Sequence, residues 1–148
     1  MATLIDGILD RREMQRYVRG VVDADLDWVL DEVELPEDEW VRTVDNGIAI
    51  NETHSERCRI KYELWDSSPP PLSLWDSSQT GRVHLTSGKI FAVSIYSGGE
   101  SHGDVFDLGR RDHAWNVSVH RKALQHEEFT ADIVSFTLLK LQFWPTAP

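Results

Sequence analysis

Residues Leu64–Tyr96 read LWDSSPPPLSLWDSSQTGRVHLTSGKIFAVSIY, and this stretch decides the fold. Three consecutive prolines, Pro69 to Pro71, cannot join a hydrogen-bonded ladder, so the chain leaves regular structure there. Just before them Cys58, Ile60, Tyr62 and Leu64 alternate with Arg57, Arg59, Lys61 and Glu63. A period of two with every charge on one side predicts a strand over 57–65 with one face buried and one wet. Beyond the prolines, Leu72–Trp75 is a brief strand and Ser77–Gly81 a turn. Val83 and Leu85 mark a short strand, Ser87-Gly88 turns, and Lys89–Tyr96 is apolar enough for a strand covered on both faces.

Downstream the pattern repeats. Ser97–Gly103 is a glycine-rich loop, Val105–Leu108 a short strand, Gly109–His113 a charged turn. Ala114–His120 alternates with Trp115, Val117 and Val119 inward. Residues 121–132 form a loop or short helix. Ile133–Trp144 is the last strand; its apolar residues change sides near Leu138-Leu139, which calls for a bulge or for cover on both faces. Upstream, Asp45-Asn46-Gly47 supplies the positive φ of a hairpin turn between Trp40–Val44 and Ile48–Asn51.

The first third reads differently. Asp10 stands three residues before Glu13, a capping-box spacing, and Met14, Tyr17, Val18 and Val21 follow a helical period. A helix is predicted over Arg11–Val22, with Gly20 a mild flaw. Leu26, Val29, Leu30 and Val33 make a second stripe over Ala24–Glu34, and Pro36 stops it. Asp31, Glu32 and Glu34 near its C-terminal end oppose the helix dipole, so this element must dock by its stripe or stay loose. The expected architecture is mainly β: an antiparallel β-sandwich of about seven or eight strands with a short acidic helical lead-in. One domain is expected, with residues 1–39 packed as the lead-in on a sandwich formed by 40–148.

The chain has 148 residues, 41% of them apolar, enough for a core without covalent staples. Cys58 is the single cysteine, so no internal disulfide is possible and nothing calls for an oxidising compartment. The N-terminus lacks a signal-peptide pattern and no apolar run is of membrane-spanning length, so a cytoplasmic location is expected.

Charge is the most pointed signal. The net charge is −10, and the segment from Asp23 to Glu39 holds nine acids and no lysine or arginine. They are Asp23, Asp25, Asp27, Asp31, Glu32, Glu34, Glu37, Asp38 and Glu39. A chain so acidic overall repels phosphate backbones, which argues against direct nucleic-acid binding and for a basic protein partner docking on these nine residues. The alternative is a solvated face with no partner.

The motifs carry less chemistry. LWDSS occurs twice, at Leu64–Ser68 and Leu74–Ser78. One reading makes Trp65, Asp66, Trp75 and Asp76 a small-molecule or carbohydrate site, in which indoles stack on sugar rings. The other makes them strand ends finished by Asx turns. Six histidines are present, but no pair has metal-ligand spacing; His102, Asp104 and His113 are too scattered, and no metal or cofactor is assigned. There is no GxSxG, the Ser97–Gly103 loop is not a phosphate loop, and Cys58 sits on the inward side of its strand. No catalytic residue is assigned, and a non-enzymatic protein is expected, with a structural domain or an enzyme of unassigned class as the further alternative.

From about Arg57 to Pro145 the chain resembles the competence protein J-type nuclease inhibitors. The resemblance rests on Asp66-Ser67-Ser68-Pro69-Pro70 after a strand, then Trp75, Gly81, the Ser87-Gly88-Lys89-Ile90 turn, and Val105-Phe106-Asp107-Leu108. The first 55 residues have no counterpart in that pattern. The resemblance implies a cytosolic β-sandwich that binds and restrains a nuclease or similar effector, such as a toxin. It implies no particular site residues.

Overall fold

The structure is a computed structural model that describes every residue except 12, 13, 16, 53–56, 97, 98, 127–133, 147 and 148, and only the backbone of 14, 15, 17, 52, 57, 96, 124–126 and 134–136. The chain forms β1 (Leu4–Leu9), β2 (Met14–Gln15), β3 (Tyr17–Asp23), β4 (Val41–Val44), β5 (Gly47–Glu52) and β6 (Arg57–Trp65). It continues through β7 (Ser77–Leu85), β8 (Lys89–Tyr96), β9 (Gly99–His102), β10 (Phe106–Asp107), β11 (His113–His126) and β12 (Val134–Pro145). The first sheet runs β1-β6-β12-β11-β7, with β2 also on β6; the second runs β10-β8-β3-β5-β4, with β9 also on β8.

One apolar cluster draws on both sheets. Ile60, Tyr62, Val117, Val119, Leu139, Leu141 and Phe143 come from the first; Val18, Val21, Ile48, Ile50, Ile90 and Ala92 come from the second. Tyr62 of β6 stacks on Phe106 of β10, with ring centroids 5.5 Å apart, and so bridges the two sheets. The alternation read over 57–65 is the strand β6, with Cys58, Ile60, Tyr62 and Leu64 buried. The predicted hairpin at Asn46 is formed by β4 and β5, with Asn46 at φ 66.

Several expectations are corrected. The predicted sandwich was antiparallel, but β12 pairs with β6 in parallel. No helix occurs among the described residues, so there is no helical lead-in. β1 lies in the first sheet, and β3 sits between β8 and β5 in the second. The helical spacing of Tyr17, Val18 and Val21 coexisted with β-branched Val18, Val21 and Val22, and a central sheet position decided between them. Gly20 shows why: its φ is +149°, with a register shift beside it on both neighbouring strands. The capping residue Glu13 lies outside the described residues, and Asp10 is fully buried, its carboxylate accepting from Asp104 N.

Ser77–Gly81, predicted as a turn, belongs to β7, and Leu72–Trp75 is not a strand. Gly99–His102, predicted as loop, pairs with β8, and β11 runs on to His126; residues 127–132 of the predicted loop or helix lie outside the described residues. No bulge occurs at Leu138-Leu139; the β11–β12 register is unbroken. Lys89–Tyr96 is β8, and it is covered on both faces: Ile90 and Ala92 enter the main cluster, Val93 a second one.

Candidate functional site

The acidic segment begins with a residue that is not on the surface. Asp23 is fully buried at the end of β3. Its Oδ2 accepts from Ser87 N at 2.8 Å and Gly88 N at 3.3 Å, and its Oδ1 from Ser87 Oγ at 2.7 Å and Asp25 N at 3.0 Å. These bonds leave Asp23 no face for a partner, which corrects its place among the nine docking acids. It anchors the segment to the β7–β8 turn instead.

Beyond Asp23 the chain makes successive turns. Leu26 N bonds Asp23 O, Val29 N bonds Leu26 O, Asp31 N bonds Trp28 O, and Val33 N bonds Leu30 O. All are i→i−3 bonds, not the i→i−4 ladder of an α-helix. The acids at the C-terminal end of this segment would oppose a helix dipole, and the turns build none. The apolar stripe still docks. Leu30, 1% exposed, joins Val22, Ala49 and Val93 in the second cluster, with Val29, Val33 and Leu35 packed against it on the outer face of the second sheet. Arg19 fastens it, donating to Leu30 O at 3.1 Å with its guanidinium 3.8 Å from Asp31 Oδ1.

Docking of the stripe turns the carboxylates outward. Asp25, Asp27, Asp31, Glu32, Glu34, Glu37 and Asp38 are exposed. Glu39 is partly covered and accepts from Arg42 through both oxygens at 2.9 and 2.7 Å, which holds its carboxyl below the ordinary value. Trp28, 61% exposed, stands among these acids. A groove of about 430 Å³ adjoins the segment, lined by Val33, Glu34 and Leu35 of the segment and by Arg19, Asn51 and Ile95 of the second sheet. The periodicity placed the stripe and the acids on opposite sides; Trp28 carried no signal separating it from a core aromatic.

The doubled Trp-Asp-Ser marks the two ends of one connection. β6 and β7 share the first sheet with β12 and β11 between them, so the chain from 66 to 76 must cross. It passes over the outer face: the Trp75 ring lies 5.9 Å from the His120 ring, and Lys140 Nζ 5.4 Å from the Trp75 ring. Each aspartate pins one end by a pair of bonds to backbone. Asp66 N donates to Thr3 O, and Asp66 Oδ1 accepts from Thr3 N at 2.7 Å. Asp76 N donates to Arg121 O, and Asp76 Oδ2 accepts from Ala123 N at 2.8 Å. Both carboxylates of the carbohydrate reading are therefore engaged with backbone, while Trp65 and Trp75 are half-buried.

Beneath Trp75 lies a polar chain that sequence reading missed. Ser78 Oγ is 2.6 Å from His120 Nδ1, His120 Nε2 is 2.9 Å from Gln142 Oε1, and Gln142 Nε2 donates to Glu63 Oε1 at 2.9 Å. The proton positions follow from the carboxylate, which only accepts. Gln142 must turn its amide nitrogen to Glu63 and its oxygen to His120. His120 Nε2 therefore carries the proton, and Nδ1 accepts from the Ser78 hydroxyl. Glu63 also receives Trp65 Nε1 at 3.1 Å, with Lys61 Nζ at 3.2 Å and Lys140 Nζ at 3.7 Å. Burial resists its ionisation, but bonds from Gln142 and Trp65 and the two lysines prevail and hold the carboxyl below the ordinary value. Burial pushes the His120 imidazole below its ordinary value, in keeping with a neutral ring. Only the register brings these residues together: Ser78 faces His120, and Gln142 faces Glu63.

The other residues weighed for chemistry are packed into the fold. Cys58 is fully buried in the core. His102 stacks on Phe91 at 4.6 Å, and the His113 ring meets Trp115 edge-on at 4.8 Å. Asp104 is bound to Arg11, its Oδ2 accepting from the backbone N at 3.0 Å and from Nε at 3.2 Å.

No family model and no curated protein matches the chain. Among solved structures it is similar to ComJ of Bacillus subtilis, described as an inhibitor of the DNA degrading activity of NucA. The identity is 13% and the TM-score 0.51, over 96% of this chain and 98% of that one. The likeness thus includes residues before Arg57, for which no counterpart was expected. The resemblance to the competence protein J-type inhibitors holds at the level of the fold.

Proposed function

We propose that this protein is a non-enzymatic, cytoplasmic interaction protein of inhibitor type, occluding a cationic partner such as a nuclease or a toxin-like protein. The observation that carries this reading is the acidic segment itself: seven exposed carboxylates share one segment with exposed Trp28, on a chain fastened by Leu30 and Asp23. An anionic surface steers a basic partner and raises its association rate, and an exposed tryptophan is a residue type enriched among interface anchors. The likeness to an inhibitor of a DNA-degrading activity supports the reading at the level of the fold.

The test is association kinetics with a panel of basic nucleases and toxin-like proteins. Replacing Asp31, Glu32, Glu37 and Asp38 by Asn or Gln slows association by about tenfold and flattens its salt dependence. Binding with an unchanged association rate in that variant sinks the electrostatic mechanism.

A further inference from the structure

The outer face of the first sheet has the opposite charge to the rest of the molecule. Ile60, Tyr62, Val119, Leu139, Leu141 and Val83 point into the core, so their neighbours along the strands point out. Arg59 and Lys61 of β6, Lys140 of β12, Lys122 of β11 and Arg82 of β7 therefore share the outer face. The register gathers four of them into one block: Lys61 lies opposite Lys140, and Leu138 lies between Arg59 and Lys122. Among the described outward side chains of these four strands, Glu63 is the one carboxylate. Five cations against Glu63 and the two carboxylates of the crossover, Asp66 and Asp76, leave this face at +2, in a chain whose total is −10.

Indoles adjoin the block. Trp75 lies over Lys140 and His120, and Trp65 binds Glu63 beside Lys61; both are half-buried and keep part of their rings in solvent. The acidic segment covers the outer face of the other sheet. Two packed sheets put their outer faces more than about 10 Å apart, beyond the screening length of about 8 Å at physiological ionic strength. The local field at Lys61 and Lys140 is thus set by this face's own charges, the Glu63 carboxylate at 3.2 and 3.7 Å included, and not by the net charge of the chain. The field ends toward Asp45 and Asp112, which flank His84 at 3.4 Å each.

We propose that this face binds single-stranded nucleic acid, with Arg59, Lys61, Lys122 and Lys140 on the phosphates and Trp65 and Trp75 stacking on bases. Cations interleaved with aromatic rings are how strand-binding sheets work: the charges track the backbone and every base offers a π-face. The expectation that nucleic acid is excluded came from the summed charge, which this face does not share. The inference is independent of the inhibitor reading, because the surface lies on the opposite sheet.

The test is fluorescence anisotropy and tryptophan quenching with a labelled oligothymidylate of about 12 nucleotides at about 50 mM salt, a length that matches the usual site sizes. Saturable binding with quenching is expected, and log K falls with log salt at a slope of about −2 to −3 for four phosphate contacts. The Arg59→Glu/Lys122→Glu double variant, its fold checked by circular dichroism, loses at least about tenfold in affinity. Neutralising Asp31, Glu32, Glu37 and Asp38 leaves binding intact. Absence of an anisotropy change, equal binding by the double variant, or displacement by polyglutamate as effective as by oligothymidylate each overturns the proposal.

Discussion

Asp23 and Ser87 are joined twice, Oδ2 to the Ser87 backbone N–H at 2.8 Å and Oδ1 to its hydroxyl at 2.7 Å, across 64 residues of sequence. The pair locks the end of β3 to the β7–β8 turn exactly where the acidic segment departs. Asp23→Ala leaves buried donors unsatisfied, and the expected loss is about 3 kcal/mol, read as a lower urea midpoint. A variant within about 0.5 kcal/mol of the parent would show that this junction does not hold the segment.

Gly20 offers a second stability test. A Cβ there would lie 2.0 Å from Ile48 O and 2.8 Å from Leu30 Cδ1, on a backbone with φ +149°. Gly20→Ala therefore strains the centre of the second sheet and unseats Leu30, at a cost of about 3 kcal/mol or more. The cost is read as a lower urea midpoint, because Leu30 holds that segment down. Retained stability would contradict the close approach.

Acidification should destabilise the protein in two steps. His120 is pushed below its ordinary value by burial, so the unfolded chain binds the proton more readily and stability falls as the pH drops through about 6.5. Glu63 is also held below its ordinary value, so its contribution is present above the unfolded carboxylate pKa and disappears as the pH falls through the lower folded value. Urea midpoints measured from pH 8 to 5 should decline for the parent and much less for His120→Gln. Parallel profiles for the two proteins would remove His120 as the source.

Trp28 separates binding from folding. It is 61% exposed and lies outside both apolar clusters, so Trp28→Ala should change stability by less than about 0.5 kcal/mol. In complex with a cationic partner, the same variant should dissociate at least about tenfold faster, since tryptophans at interface centres carry 2 kcal/mol or so. Unaltered dissociation would leave the acids without an aromatic anchor.

Strands β6 and β8 were legible residue for residue, and so was the turn at Asn46 between β4 and β5, because alternation and positive φ are local properties of the chain. β3 was not. Val18 and Val21 fit a helical spacing as well as a buried strand, and only the sheet position between β8 and β5 separates the two. The acidic surface was legible as a run of charge, but not the burial of Asp23 within it, which depends on a turn 64 residues away. The doubled Trp-Asp-Ser was legible as a repeat, and its role as the two pins of one crossover was not.

The sequence by itself determined the mainly β character, the alternation that sets which side of β6 is buried, and the segregation of nine acids before Trp40. Tertiary structure alone decided the parallel pairing of β6 with β12, the chain from Ser78 to Glu63, and the cationic block at Lys61 and Lys140. The physical reason is register. Side-chain direction along a strand is a local property of period two, but which residues lie side by side is set by pairing between strands far apart in the chain.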